Sequence, residues 1–161
     1  MSTRWSRGRG RLGLLDPLLG TWVAEGESEL GHYRVQRGLE RVLQRSHVRM
    51  NVHWDLGDRS YDEWAIFGAD RDGTVGFWSF TSDGKQSRGH LVAADDLPSG
   101  GFSFEADMPA GRARMLFWPR DHGPGFRFAV ESRSAKGWRR FVEHEYLPAE
   151  GGTAQPALSG P

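Results

Sequence analysis

From Gly20 onward, hydrophobic residues occur in short runs, and Gly, Asp, Asn or Pro interrupts them every ten to fifteen residues. Short runs rich in Val, Phe, Trp, Tyr and Thr are typical of antiparallel strands joined by hairpins. Glycine is common in such hairpins because it accepts the positive φ angles that tight turns require. We predict ten strands, over about residues 20–29, 33–43, 45–54, 60–68, 74–81, 86–93, 101–107, 111–118, 125–133 and 137–147.

The spacing of these strands predicts how they are connected. No gap is long enough for a crossover helix, so parallel pairing is excluded. Hairpin-linked strands can protect both sheet edges by closing into an up-and-down barrel, and a barrel of ten strands has room for a ligand. Ahead of the first strand, a cluster of leucines around Pro17 predicts a short helical plug. The predicted fold is therefore an all-β, antiparallel barrel with an N-terminal helical plug.

Composition excludes several classes of protein. A chain of 161 residues, 37% of them hydrophobic, suits one domain with a substantial core. It contains no cysteine, so disulfides and thiolate chemistry are absent. Basic and acidic residues balance at 21 each, so neither nucleic acid nor a membrane is expected as a partner. Since we find no signal peptide or long apolar run, we expect a cytoplasmic protein, either a monomer or a homodimer.

The two ends of the chain differ in composition from the rest. Residues 1–11 contain four arginines among Gly and Ser, which predicts a flexible tail. Residues 148–161 are of low complexity and predict a disordered tail. The barrel domain is therefore expected to span residues 12–147.

Two stretches resemble calycin proteins. The sequence LLGTWVAEGES, which starts at Leu18, resembles the opening of calycin-type barrels, where a short helix leads into a first strand with a G-x-W motif. Residues 61–89 resemble the central part of the DUF1579 group, an uncharacterised bacterial family with a lipocalin-like barrel. Nitrobindin and the fatty-acid-binding proteins are similar to a lesser degree. This resemblance covers most of residues 15–147 and rests on Gly and Trp patterns, so it implies a fold and assigns no functional residue.

The predicted strand over residues 45–54 alternates between apolar and polar positions. One face carries Ser46, Val48, Met50, Val52 and Trp54, and the other carries His47, Arg49, Asn51 and His53. Successive strand residues point to opposite sides of a sheet, so we expect the apolar set to face the barrel interior. The alternative is a polar cavity lined by the histidines and the arginine. No third ligand accompanies the two histidines, and no metal site is predicted.

The last predicted strand places polar side chains among apolar ones. One face carries Trp138, Arg140, Val142, His144 and Tyr146, and the other carries Arg139, Phe141, Glu143 and Glu145. The second face is mainly charged, so we expect it in solvent and the first in the interior, where buried polar groups need partners. In fatty-acid-binding proteins an Arg-x-Tyr pair of the last strand holds a ligand carboxylate. The pair His144 and Tyr146 occupies the similar place here, which leaves polar recognition of a ligand open. Alternatively, His144 hydrogen-bonds Glu63 or Tyr146 in a structural role.

The resemblance to nitrobindin implies one possible cofactor. In nitrobindin a histidine of the last strand ligates haem iron, and His144 lies in a comparable position. Apart from haem, we expect no cofactor.

Seven tryptophans are many for a chain of this length. Trp22, the tryptophan of the G-x-W motif, is expected to close the bottom of the barrel. Several others are candidates for stacking on a flat, conjugated ligand, with ordinary core packing as the alternative. The predicted ligand-binding residues are Trp54, Trp64, Trp78, Trp118, Trp138, Arg140, His144 and Tyr146.

Motifs for catalysis are scarce. The chain lacks a nucleophile elbow, a zinc-protease motif and a phosphate-binding loop. The candidates for general acid–base chemistry are Asp62, Glu63, His53 and His144. We therefore expect a protein that binds a hydrophobic, aromatic or elongated small molecule inside a β-barrel. The alternative is a cofactor-independent cyclase or isomerase of bacterial secondary metabolism, which shapes its substrate within the barrel.

Overall fold

A computed structural model describes residues 5–150 as an all-β protein, a closed barrel of ten antiparallel strands. Each strand pairs with its neighbours in sequence and β1 closes on β10, which confirms the predicted fold class. A 3₁₀ helix, Arg11–Leu18, precedes the barrel. The strands are β1 Gly20–Ser28, β2 Gly31–Val42, β3 His47–Asp55, β4 Ser60–Ala69, β5 Val75–Thr81, β6 Gln86–Val92, β7 Phe102–Met108, β8 Gly111–Pro119, β9 Phe126–Ser134 and β10 Gly137–Pro148.

The predicted tails fall mostly outside the described part of the chain. Residues 1–4 and 151–161 are not among the described residues. Within the predicted N-terminal tail, the ring of Trp5 packs against Phe102 with their centroids 5.7 Å apart. The packed structure therefore includes part of the segment 1–11.

The 3₁₀ helix plugs one end of the barrel, as predicted. All four leucines of this helix are buried in the main core, namely Leu12, Leu14, Leu15 and Leu18. The indole Nε1 of Trp22 donates a hydrogen bond to the carbonyl oxygen of Leu18 over 2.7 Å. Arg41 of β2 forms a 2.5 Å ion pair with Asp16 of the helix. Among the described residues, no helix has the length and hydrophobicity needed to cross a membrane.

Aromatic side chains fill the half of the interior next to the plug. Phe67 and Phe104 pack with ring centroids 5.2 Å apart, and Phe117 and Phe128 with theirs 5.1 Å apart. We call this packed layer the aromatic floor; it consists of Phe67, Phe77, Phe104, Phe117, Phe126 and Phe128, all buried. The floor divides the barrel into a packed half and a half that ends at the β3–β4 hairpin, which we call the open half.

A β-bulge interrupts the last strand. The register of β10 against β9 shifts between Arg140 and Val142, so Phe141 is an extra residue in β10. A bulge reverses the alternation of side chains on either side of it. His144 and Tyr146 therefore face the interior, whereas Trp138 and Arg140 face outward. The prediction that all four share the inner face is wrong for the two residues before the bulge.

The seam between the first and last strands is short. Trp22 pairs with Pro148 and Val23 with Leu147, and the amide of Ala149 donates a 3.0 Å hydrogen bond to the carbonyl oxygen of Thr21. These residues all lie near the plugged end. The pairing thus closes the barrel where the interior is most densely packed.

A glycine on the inner wall lets the aromatic floor approach the backbone. A Cβ atom at Gly89 would meet the ring of Phe77 and lie 2.5 Å from the carbonyl oxygen of Glu105. We therefore expect Gly89→Ala to lower the free energy of unfolding by about 1–3 kcal/mol, the usual cost of overpacking. Urea unfolding followed by tryptophan fluorescence measures this change.

Gly38→Ala in β2 is the matched control. A Cβ atom at Gly38 has only ordinary contacts, the nearest at 3.9 Å. Its stability should stay within about 0.5 kcal/mol of the wild type or rise. Equal stability of the two alanine variants would contradict the close packing at Gly89.

Candidate functional site

The open half of the barrel retains space between its inward-facing side chains. Strand register and alternation place there a set of partly exposed residues, namely Tyr33, Trp54, Tyr61, Glu63, Met108, Met115, Val130 and Val142. A cavity of about 350 Å³ lies at the β3–β4 hairpin and is lined by Trp54, Leu56, Arg59, Ser60 and Tyr61. Cavities of this size are common sites for small ligands.

His144 lies in an aromatic layer below this cavity. Its ring centroid is 4.9 Å from that of Tyr33 and 5.0 Å from that of Trp54. Its Nδ1 is 3.4 Å from the hydroxyl oxygen of Tyr146. The side chains of His144 and Tyr146 are therefore inside the barrel, as the sequence predicts, and their role in ligand binding stays a prediction.

An arginine that the sequence analysis did not single out lies at the centre of the interior. Arg37 of β2 is only 2% exposed. Its Nη1 donates to the sulfur of Met50 over 3.0 Å, and its guanidinium carbon is 4.1 Å from the ring centroid of Phe128. A signal for it exists in the sequence, because Arg37 shares a strand face with Val35 and Leu39, both buried. An arginine flanked in this way must either enter the core or disrupt it.

Burial and the charge of Arg37 together shift the pKa values of the titratable side chains on the inner wall. Burial lowers the pKa of His144 to about 4, and the nearby guanidinium adds to the effect. Burial raises the pKa of Glu63 above its usual value, although Arg37 opposes this rise. Burial also raises the pKa of Tyr146. At neutral pH the interior therefore combines a cation with a neutral imidazole and a protonated phenol.

Two of the predicted ligand-binding tryptophans lie on the outer wall. Trp64 is 57% exposed and lies opposite Phe80 of the neighbouring strand. Trp78 faces outward beneath Arg88, whose guanidinium carbon is 4.8 Å from the ring. The prediction that they line the cavity is wrong. β4 and β5 carry aromatic residues on both faces, so hydrophobicity alone does not identify the inner one.

Three further candidates, Trp118, Trp138 and Arg140, are also outside the barrel. The loop between β6 and β7 covers this part of the outer wall, and its Leu97 packs against Trp118. Arg140 forms a 3.0 Å ion pair with Glu131, and Trp138 lies under the guanidinium of Arg114. Trp118 thus contacts the loop, while Trp138 and Arg140 contact side chains of neighbouring strands on the outer wall. None of the three lines the interior, so the prediction that they bind a ligand inside the barrel is wrong.

The four acid–base candidates divide between the two sides of the wall. His53 and Asp62 are exposed on the outside, with Nδ1 of the histidine 2.7 Å from Oδ1 of the aspartate. They cannot reach a molecule in the cavity. Glu63 and His144 face the interior and remain the candidates. The apolar face of β3 does point inward, as the alternation predicts, with Val48, Met50 and Val52 buried.

The surroundings of His144 do not fit a haem group. His144 is only 5% exposed, and a porphyrin at its ring would have to displace Tyr33 or Trp54 from contact. In residues 5–150, no group of three or more histidine, aspartate or glutamate side chains is arranged to hold a metal ion.

A second cavity, of about 410 Å³, lies on the outer wall across β5–β8. Charged side chains dominate it, including Asp70, Glu105 and Arg112. Such a lining suits water and ions better than an apolar molecule. The cavity of the open half is therefore the candidate functional site.

The chain matches no family model, and no curated protein matches it either. The barrel architecture rests on the structure, and the resemblance to the DUF1579 group stays a prediction.

His144 should make the stability of the protein depend on pH. Its pKa of about 4 in the folded state lies below the value of 6.5 expected when it is unfolded. The unfolded state therefore takes up a proton first, so this contribution to stability is complete above about pH 6.5 and decreases as the pH falls toward 4. Between pH 7 and pH 5 the loss should be about 2 kcal/mol.

Urea unfolding of the wild type and of His144→Phe at both pH values measures this loss. The raised pKa of Glu63 acts in the opposite direction, but it is present in both proteins and largely cancels in the comparison. The wild type should lose more stability than the variant. An equal loss in the two proteins would show that His144 is not the group responsible.

Proposed function

We propose that the protein binds a hydrophobic small molecule in the open half of its barrel. The observation that carries this proposal is the contrast between the two halves of the interior. The aromatic floor is fully packed, whereas Tyr33, Trp54 and several aliphatic residues of the open half stay partly exposed, and Trp54 lines a cavity there. A protein without a ligand gains stability by burying such residues, so leaving them accessible to solvent favours a binding role.

The shape of this half favours a flat or elongated molecule. Trp54 and Tyr61 lie opposite each other on β3 and β4, and both line the cavity. Aromatic side chains of this kind bind planar or chain-like apolar groups through a large contact area. The packed floor sets the lower limit of the space, so the ligand occupies the open half alone.

A ligand enters the site from the open end of the barrel. The residue pairs that join β1 to β10 lie at the plugged end, away from the cavity. Tyr33 and Trp54 cover the deeper layer around His144.

Catalysis within the same cavity is the second candidate function. The observation that favours it is a pair of inward-facing groups whose pKa values burial shifts in opposite directions, upward for Glu63 and downward for His144. Environments that separate two pKa values in this way are typical of acid–base pairs.

A cyclase or isomerase would need Glu63, so Glu63→Gln should still bind a substrate and fail to convert it. Mass spectrometry of bound compounds after incubation measures conversion.

Tryptophan fluorescence tests the binding proposal. The probes are dodecanoate, retinoate and retinol, each titrated into the protein. Since Trp54 is the tryptophan that lines the cavity, we expect binding to change the emission of the wild type and to leave Trp54→Phe with a much smaller change.

Trp64→Phe is the matched control. It also removes one tryptophan, but from the exposed outer wall, so its response should equal that of the wild type. A response lost in Trp64→Phe and kept in Trp54→Phe would place the ligand outside the barrel. Absence of binding by all the probes, measured by calorimetry, would contradict the proposed function for these ligand classes.

A further inference from the structure

Four apolar side chains form a block on the outer wall of β4 and β5. Trp64 lies opposite Phe80, and Ile66 lies opposite Trp78. Trp64 is 57% exposed and Phe80 is 48% exposed, and the other two are partly exposed. We call this block the outer patch. Large apolar side chains grouped on a surface favour contact with another molecule, because leaving them in water costs free energy.

Side-chain size falls from one end of the outer patch to the other. On β5 the outward positions are Phe80, Trp78 and Gly76, and the last has no side chain. β4 repeats this order with Trp64, Ile66 and Gly68, which lie opposite those residues in turn. The outer-wall cavity of about 410 Å³ includes Gly76 in its lining. The surface thus has a raised end at Phe80 and a hollow end at Gly76.

The hollow end suits an aromatic side chain that arrives as part of a polar surface. Asp70 and Arg88 lie at the exposed rim of the cavity, each at least half accessible, whereas Gly76 is buried. A free apolar molecule would cover such charges without offering them a partner. A protein surface brings hydrogen-bonding groups beside its aromatic ones, and the residue opposite Phe80 on β6 is Gln86.

The charges around the outer patch match a second copy of this chain. Arg49 and Arg88 flank the pair Ile66–Trp78 on either side. Each has a carboxylate nearby, since Arg49 pairs with Glu40, and Arg88 lies 4.0 Å from Asp70. The whole chain has no net charge. Two copies therefore approach without repulsion, whereas nucleic acid or an anionic membrane needs a surplus of cations.

We propose that two copies of the chain form a dimer through the outer patch, related by a two-fold axis that runs across the strands at the level of Trp78. This axis places Phe80 of each copy over Gly76 of the other, so each raised end fills a hollow end. A two-fold interface requires such self-complementarity, because the same surface serves both copies. The inference does not depend on a ligand in the barrel, because the interface lies on the outer wall.

The size of the interface indicates a weak dimer. At the usual strand spacing and rise, the outer faces of β3 to β6 measure roughly 20 Å by 20 Å. This area corresponds to the small end of specific interfaces. We therefore expect monomer and dimer to exchange, with the dimer favoured as the protein concentration rises from micromolar to millimolar.

Analytical ultracentrifugation over that range of concentrations tests for the dimer. The average mass of the wild type should rise towards twice the mass of one chain. Phe80→Ser removes the raised ring from an exposed position, so the variant should fold. Its dissociation constant should be at least about tenfold larger, since one aromatic contact at the centre of an interface commonly contributes that much.

Phe141→Ser is the matched control. Phe141 is also exposed, but it lies on β10, which is not adjacent to β4 or β5 in the barrel. This variant should associate like the wild type. An equal effect of Phe80→Ser and Phe141→Ser would overturn the proposed use of the outer patch.

Single cysteines test the axis without changing the outer patch. The chain contains no cysteine, and Gln86 and His90 are exposed on β6, two residues to either side of Arg88. The proposed axis brings Gln86 of one copy near His90 of the other. A mixture of Gln86→Cys and His90→Cys should therefore form disulfide-linked dimers under mild oxidation, and neither variant alone should form them. Linkage by Gln86→Cys alone would overturn the axis.

The wild type gives the last outcome. If it stays monomeric up to millimolar concentration, the inference is overturned. Its co-sedimentation with phosphatidylcholine vesicles would then assign the outer patch to a lipid surface. The ligand titrations test the open half separately, so failure of the dimer leaves the proposed function standing.

Discussion

The packing of the aromatic floor determines how much of this barrel is available for function. Six phenylalanines from β4, β5, β7, β8 and β9 meet across the plugged half, and Gly89 allows one of them, Phe77, to lie against the backbone. The leucines of the 3₁₀ helix extend the same core to the end of the barrel. A ten-stranded barrel is wide enough to remain hollow. In this chain, aromatic packing fills one half and leaves several inward-facing residues of the other half partly exposed.

A second hydrophobic cluster lies on the outside of the barrel. It explains why some predicted ligand-binding residues lie on the outer wall. The loop between β6 and β7 covers β8 and β9, and there Leu97 packs on Leu116, Trp118 and Ala129. Arg114 connects this loop to the barrel through Asp96 and Glu131. Large apolar residues are therefore buried on both sides of the wall. Charged residues accompany them on the outer side, where ion pairs can reach water.

The open half of the interior contains polar groups whose burial costs stability. Arg37 is buried, its Nε has no hydrogen-bond partner within residues 5–150, and burial keeps His144 neutral over most of the pH range in which a free histidine would titrate. The rings of Tyr33 and Trp54 enclose this layer. Strained or unsatisfied polar groups of this kind are common where a protein binds a ligand, because the partner restores what folding leaves incomplete.

The sequence by itself determined the number of strands, their antiparallel order, the plug and the inner face of β3. These features depend on local rules, since alternation has a period of two residues and turns need particular residues such as glycine. Tertiary structure alone decided which face of β4, β5 and β8 points inward, because aromatic residues occupy both faces and a distant loop buries the outer one. It also introduced the bulge at Phe141, which turned Arg140 outward, and brought Arg37 of β2 next to His144 and Tyr146 of β10. No local pattern contains that contact, since it exists only once the barrel has closed.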